Sequence, residues 1–350
     1  MKVFLIYGGK SAEHDISVIS AYHILQEIYY DYYQVIPIYI TIDGEWQKGQ
    51  IIEKKEDVPT LAGLREVWNN EPFNFLDLKE ENSLAFPVLH GPNGEDGTIQ
   101  GLFETLNVPY VGAGVLASAA GMDKVVSKIL FNNAGIPIVP YEVVKPTDWE
   151  VRPEDVIERI TENLPYPMYV KPANLGSSVG ISEVNDIEDL KVAIELAFEY
   201  DHRVLVEQGI SGLEVEVAVL GNEDVHTSVV GALIKENQFY DYDAKYLDDD
   251  VALQIPAELP EEVSNKLREY ATKAFIAIDG SGLSRADFFV TEDYEIYINE
   301  INTFPGFTPI SMYPKLWEET GLAYGDVIEE LLQLGIQRHE TRDARYGKQR

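Results

Sequence analysis

The segment Ser284-Arg-Ala-Asp-Phe-Phe-Val290, the tetrapeptide Thr291-Glu-Asp-Tyr294 and the run Glu295-Ile-Tyr-Ile-Asn-Glu-Ile-Asn302 read as two strands joined by a four-residue loop. Side chains two apart on a strand share a face. With Val290 opposite Glu295, Asp287 falls opposite Ile298 and diagonal to Glu300. Arg285, Asp287, Glu300 and Asn302 then gather on one side, and a one-residue slip breaks the cluster. Two carboxylates and an amide oxygen suit a hard cation, since Mg²⁺ commonly takes one or two carboxylates plus substrate phosphates. An exposed acidic strand face in an acidic protein has the same pattern.

The chain is acidic throughout: 27 Lys and Arg face 60 Asp and Glu, a formal net charge of −33. Such a surface repels phosphate backbones and anionic membranes, which argues against both as partners. A small anionic ligand needs scarce cations gathered locally, or metal ions. The 350 residues, 45% apolar and 25% charged, are enough for two or three globular domains and unlike a disordered or coiled-coil chain. There is no cysteine, which removes thiol nucleophiles, disulfides and thiolate zinc sites. The first apolar run, Val3 to Tyr7, ends at Gly8-Gly9 and not at a cleavage site, and no run approaches the roughly 18–20 apolar residues of a membrane span. A cytoplasmic protein is expected.

Val3 to Tyr7 reads as a strand buried on both faces, followed by a helical pattern through Ile16, Ile19, Tyr22 and His23. Apolar runs at Val35–Ile42 and Leu84–Leu89 complete a β-α-β-type lobe, and residues 45–82 read as a poorly patterned insertion. Ala117 to Asn133 reads as one helix, with Met122, Val125, Val126, Ile129 and Leu130 on its stripe and Gly135 past its end. Gly135 to Tyr141 is a stiff connector, so three lobes are expected at 1–122, 123–210 and 211–350. In the third, Val215, Val217 and Val219 alternate with Glu214 and Glu216 as on a half-buried strand. The last helix, about Tyr324 to Leu334, precedes an Arg-rich tail that should fray.

Further segments carry polar chemistry. Gly176-Ser-Ser-Val-Gly180, after Lys171-Pro172, suits either phosphate contact or a flexible turn. Gly9-Lys10-Ser11 mimics the end of a Walker A loop, but the glycine required five positions before Gly9 is Phe4. Leu89-His-Gly-Pro-Asn-Gly-Glu-Asp-Gly-Thr98 follows a strand, where ligands of open α/β sheets sit; His90 is either a ligand contact or bonded within its loop. Glu13 or Asp15 either meets a ligand at the same edge or caps the next helix. His14, His23, His202, His226 and His339 have no metal-ligand spacing. Tyr240 to Asp250 has the character of a lid or of a solvated excursion.

In this order and spacing the pieces resemble the ATP-grasp fold and, within it, the D-alanine:D-alanine ligase family, over nearly the whole chain. The resemblance rests on Gly8-Gly-x-Ser-Ala-Glu-His-Asp15, His90-Gly-Pro-x-Gly-Glu-Asp-Gly97, Met122-Asp-Lys124 and Lys171-Pro-x-x-x-Gly-Ser-Ser-Val-Gly180. Tyr242-Asp-Ala-Lys-Tyr246, Arg285-Ala-Asp287 and Asn299-Glu-Ile-Asn-Thr-Phe-Pro-Gly-Phe-Thr308 complete it. It implies an α/β protein: an N-terminal parallel α/β lobe followed by two ATP-grasp lobes that clamp the nucleotide. It also implies a ligase that phosphorylates one D-alanine to an acyl phosphate. The amine of a second D-alanine attacks, and the tetrahedral intermediate expels phosphate to give D-alanyl-D-alanine for peptidoglycan.

By that resemblance Asp287, Glu300 and Asn302 hold two Mg²⁺ or Mn²⁺ ions, Glu300 bridging. Lys124, Lys171 and the loop with Ser177 and Ser178 meet the ATP phosphates, and Lys245 the transferred phosphate. Glu207 and the backbone of Gln208, Gly209 and Ile210 bind adenine, and Glu214 binds ribose. Glu13 binds the ammonium of the first D-alanine and links through Ser177 to Tyr246. Arg285 and the Gly306 N–H stabilise the oxyanion, Ser311 and the Met312 backbone hold the second carboxylate, and His90 lies beside the second D-alanine. A homodimer is implied too. Gln208-Gly209 stands where some members carry Lys-Trp, which alters adenine packing. Sister ligases that make D-alanyl-D-lactate or D-alanyl-D-serine tend to lack the equivalent of Tyr246, and its presence argues for an amine acceptor. A metal- or nucleotide-binding protein without turnover is the reading from another class; it predicts no phosphate release with D-alanine.

Overall fold

The apolar run after Lys2 forms β1 (Lys2–Gly8), whose residues Val3 to Tyr7 are essentially inaccessible to solvent. The computed structural model describes residues 1–66, 72–176, 179–235 and 251–346. β2 (Gln34–Ile40) and β4 (Ser83–Val88) flank β1 in parallel, and β3 (Trp46–Lys48) joins β2 antiparallel, so the sheet β3-β2-β1-β4 is mixed. Helices α1 (His14–Glu27), α2 (Leu61–Glu66) and α3 (Thr98–Leu106) belong to the same lobe. The stretch 45–82 is built, not merely inserted: it supplies β3, α2 and two 3₁₀ turns, with Leu64 and Leu78 fully buried. Single anchors at irregular spacing leave no period to read in the sequence.

The helix expected over 117–133 is two helices, α4 (Val115–Met122) and α5 (Lys124–Asn133), broken at Asp123. The Asp123 carboxylate accepts from the Val125 and Val126 N–H groups at 3.0 Å each, and so caps α5. Asp123 also pairs with Arg203. Beyond the connector lie β5 (Tyr141–Val144), α6 (Pro146–Val151), α7 (Pro153–Asn163), β6 (Met168–Pro172), β7 (Ser182–Val184), α8 (Ile187–Phe198) and β8 (Val204–Gln208). Their antiparallel sheet runs β5-β8-β6-β7. The third sheet, also antiparallel, runs β11-β10-β9-β12-β13. Its strands are β9 (Leu213–Gly221), β10 (Val225–Lys235), β11 (Val251–Gln254), β12 (Gly282–Val290) and β13 (Ile296–Asn302). Helices α9 (Glu261–Ala277), α10 (Met312–Thr320) and α11 (Tyr324–Tyr346) finish the chain.

The cores explain how the sheets are joined. One face of the third sheet, with Ala218, Leu220 and Leu283, shares a continuous core with Val3, Leu5 and Tyr7 of β1 through α10 and α11. Its other face packs on α4, α5 and α9. The middle sheet has a core of its own with α7 and α8, and Val125, Ala173 and Leu205 form a small cluster between it and α5. Among the described residues no helix is long and apolar enough to cross a membrane.

Within the described residues, the tail expected to fray is instead the second half of α11, as far as Tyr346. Its hold is polar: Arg338 lies 4.0 Å over the Tyr110 ring and 3.7 Å from Glu104, and Arg342 pairs with Glu104 and donates to Asn107 at 2.9 Å. Guanidinium stacking and ion pairing of this kind leave no apolar signature. In Glu104→Ala, trypsin should cut at Arg338 and Arg342 faster than in the unaltered chain, followed by mass spectrometry. Equal cutting rates would show that Glu104 does not hold the helix end.

Candidate active site

A cleft is lined by Glu13 and His90 of the first lobe, by Lys124 and Gly176, and by the third sheet with the loop after it. The metal-type hairpin forms with a different register from the one expected. Val290 pairs with Ile296 and Phe288 with Ile298, a slip of one residue that alone would turn Glu300 into the core. Asp287 nevertheless pairs with Glu300 and Arg285 with Asn302, because Asn299 is an extra residue in β13. This β-bulge restores the phase and sends Ile301 into the core beside Ala286. Asn299 Oδ1 also accepts from Lys171 Nζ at 3.4 Å.

Asp287 faces Glu216 on its other side, so Glu216, Asp287 and Glu300 form one row across β9, β12 and β13. Arg285 grips Asp287 with two bonds of 2.7 Å, from Nε and Nη2, and its Nε lies 3.0 Å from Glu216 Oε2. Asn302 Nδ2 donates to Asp287 Oδ2 at 3.0 Å. Lys124 Nζ donates to the Leu175 carbonyl at 2.5 Å and lies 3.7 Å from Glu300. Both expected metal carboxylates thus carry cations of the chain itself. Among the described residues no three His, Cys, Asp or Glu side chains form a metal cage. Two carboxylates and an amide fit a hard cation that draws its other oxygens from a phosphate ligand.

Glu207, 2% exposed, sits between Lys171 and Lys128, each 2.5 Å from one of its oxygens. Burial pushes its carboxyl up, but the two ammonium groups more than offset this and hold it at about 2. Burial pulls the Lys128 ammonium down. Burial alone would lower Lys171 as well, yet Glu207 raises it. Lys128 is the functional side chain that the sequence reading missed. Its signal was there: one helical turn from Lys124, it lies on the same face of α5.

On the first-lobe side, Glu13 occupies the N-cap position of α1 but its side chain makes no capping bond. It reaches instead toward Gly91, where a Cβ would lie 2.3 Å from Glu13 Oε2; Gly91 also has φ +73°, so glycine is needed there twice over. His90 is buried, its Nε2 3.2 Å from Ser20 Oγ and its ring 5.4 Å from that of Phe304. Burial lowers its pKa against the pull of Glu13 and keeps the ring neutral. Glu95, also passed over in the sequence, lines the cleft and accepts from the Gly91 N–H at 2.8 Å. Burial, then the neighbouring Glu13, raises its carboxyl to about 8.

In the loop after β13, Ser311 Oγ lies 2.8 Å from Thr308 Oγ1 and 3.1 Å from where a Gly306 Cβ would stand; Met312 is buried. At the end of β8 the Gln208 and Gly209 N–H groups donate to the Pro140 and Pro167 carbonyls, so those two donors are already used. Glu214 lies two residues before Glu216 on β9. Ser177, Ser178, Lys245 and Tyr246 lie outside the described residues.

Residues 2–113 match the family described as D-ala D-ala ligase N-terminus, and residues 130–333 that described as D-ala D-ala ligase C-terminus. The chain is 53% identical to the D-alanine–D-alanine ligase of Enterococcus faecalis over 97% of this chain and 99% of that one. It is also 53% identical to the enzyme of that name from Enterococcus hirae, over 98% of each. Among solved structures, VanG D-Ala:D-Ser ligase from Enterococcus faecalis superposes with a TM-score of 0.86 at 36% identity, over 95% of this chain and 99% of that one. The D-alanine-D-alanine ligase of Coxiella burnetii gives 0.84 at 33%, over 98% and 96%.

The raised carboxyl of Glu95 makes stability depend on pH. Below about 4.5, its ordinary value, folded and unfolded chains both hold the proton and nothing is contributed. Between there and about 8 only the folded chain holds it, so this group's contribution to stability falls as pH rises. Urea unfolding from pH 5 to 8 should show Glu95→Gln gaining steadily on the unaltered chain. Parallel curves would mean that Glu95 ionises in the cleft as it does in water.

Proposed function

The chain belongs to the D-alanine–D-alanine ligase family, and on that premise we propose how its cleft serves the reaction. The protein is an ATP-dependent ligase that joins two D-alanines to D-alanyl-D-alanine, the dipeptide of the peptidoglycan precursor. One observation carries the assignment of roles: Glu13 and His90, Lys124 and Gly176, and Arg285, Glu300 and Asn302 line one cleft, the last two on the strand that pairs with Asp287. A carboxylate is a poor electrophile, so one D-alanine is first phosphorylated, and catalysis rests on orientation and on screening of charge.

Glu13 receives the ammonium of the first D-alanine, with neutral His90 beside the second. Arg285 and the Gly306 N–H face the oxyanion of the tetrahedral intermediate, while Ser311 and the Met312 backbone hold the second carboxylate. Lys124 exchanges its present carboxylate partner for nucleotide phosphates, and Lys171, with three donors, adds a phosphate contact while it keeps Glu207. Glu207 keeps lone pairs for an adenine amine even while both lysines donate to it, since a carboxylate offers about four acceptor sites. Ile210, Gln208 and Gly209 border the base and Glu214 the ribose. Asp287, Glu300 and Asn302 would hold two Mg²⁺ or Mn²⁺ ions, which would screen the nucleotide phosphates. Ser177 and Ser178 close on those phosphates, Lys245 meets the transferred one, and Tyr246 links to Glu13 through Ser177. The lobes divide at 1–122, 123–210 and 211–350, and the enzyme works as a cytoplasmic homodimer.

With ATP and Mg²⁺, phosphate release should require D-alanine, and L-alanine or D-lactate alone should give none. D-Alanyl-D-alanine should form in step, followed by coupled phosphate assay and chromatography. Release that needs D-lactate or D-serine as acceptor would move the chain to a sister activity. Glu300→Gln should keep the fold and cut turnover by at least about a hundredfold. Near-normal turnover in that variant would remove Glu300 from the metal set.

A further inference from the structure

Arg285 is a residue with two claims on it. Its fork on Asp287 uses both carboxylate oxygens, Oδ1 through Nε and Oδ2 through Nη2, each at 2.7 Å. Asn302 Nδ2 adds a third donor, on Oδ2. A divalent cation at Asp287 needs at least one of those oxygens. Giving it up would strand a guanidinium whose side chain is only 17% exposed, and an unpaired buried charge is costly.

The cross-strand register supplies an alternative partner. Glu216 stands directly opposite Asp287 on β9, 6% exposed, while Arg285 is two pairs along and so on the same face, opposite Ala218. From there the guanidinium can reach either carboxylate. Its Nε lies 2.7 Å from Asp287 Oδ1 and 3.0 Å from Glu216 Oε2, yet Nε carries a single hydrogen. That hydrogen can pass from one acceptor to the other with a small rotation, and the guanidinium need not leave the cleft.

We propose that Glu216 is a positioning residue: it holds Arg285 when Asp287 turns to a divalent cation, so that metal loading and placement of the guanidinium are one event. The proposal rests on the reading of Asp287, Glu300 and Asn302 as the cation-binding set. Without Glu216, Arg285 stays locked on Asp287 and competes with the metal. With Glu216, a cation entering the row moves Arg285 sideways toward β9, still within the same buried site. Glu216 touches no substrate in this account and acts through Arg285 alone.

The test is a double-mutant cycle read by binding instead of turnover. Mn²⁺ is titrated into the full-length protein with ADP present and followed by electron paramagnetic resonance. The forms compared are the unaltered chain, Glu216→Gln, Arg285→Met and the double variant, with Asp287→Asn as a control. Glu216→Gln should weaken Mn²⁺ binding about tenfold, within the range for groups that orient metal ligands. In the Arg285→Met background the same change should cost less than about twofold, because Asp287 is already free there. An equal loss in both backgrounds would show only the field of a nearby charge and would overturn the proposal, as would no loss in either. If Asp287→Asn leaves Mn²⁺ binding intact, the cation-binding reading itself fails and the proposal goes with it. Glu216→Thr, a residue suited to a strand, serves the same cycle should the glutamine form not fold.

Discussion

A buried carboxylate held between two buried ammonium groups is the interaction that the cleft depends on. Glu207 lies one residue before the end of β8, Lys171 one before the end of β6 and Lys128 on α5, so one charge cluster ties the middle sheet to a helix packed on the third sheet. The apolar link across that junction is small, a cluster of Val125, Ala173 and Leu205. The ion cluster therefore carries specificity there that apolar packing does not. It is also costly to disturb, since removing Glu207 would leave two ammonium groups facing each other away from water.

The same logic repeats along the cleft. Asp287 and Glu216 share Arg285, and Glu300 has Lys124 nearby. In a chain with a formal charge of −33, cations are scarce, and the fold spends several of them on one site. Each of these pairs satisfies a charged group within the cleft. In the proposed reaction a nucleotide phosphate would take the place of a carboxylate on a lysine, and a metal the place of a guanidinium on an aspartate. Such an exchange would leave no cation of the cleft unpaired, which is the expensive alternative in a buried site.

Much of this was legible in the sequence, and the failures have physical causes. Strands buried on both faces announce themselves as continuous apolar runs, which is why β1, β2 and β4 stood out. The hairpin cluster was identified with the right residues and the wrong register. A bulge adds a residue without changing composition, so two errors of phase, one in the turn and one at Asn299, cancelled. The break at Asp123 was hidden because a capping aspartate looks like one polar residue on an apolar stripe. The order in the tail was invisible because Arg338 and Arg342 are held by Glu104 and a tyrosine ring. Lys128 was overlooked because a buried lysine has meaning only beside its carboxylate, and Glu207 is 79 positions away in sequence (207 − 128).

Glu95 shows how far a residue's setting can depart from what its type suggests. Three titratable groups, Glu13, His90 and Glu95, converge on the first-lobe wall of the cleft. Burial makes the imidazole neutral and raises the Glu95 carboxyl to about 8, so both are largely uncharged at neutral pH. In the proposed reaction Glu13 receives the substrate ammonium on that wall. Glu95, protonated and accepting from the Gly91 N–H, adds a hydrogen-bonding neighbour there and no negative charge of its own. A neutral carboxyl and a neutral imidazole packed beside Glu13 thus limit the charge that this wall carries.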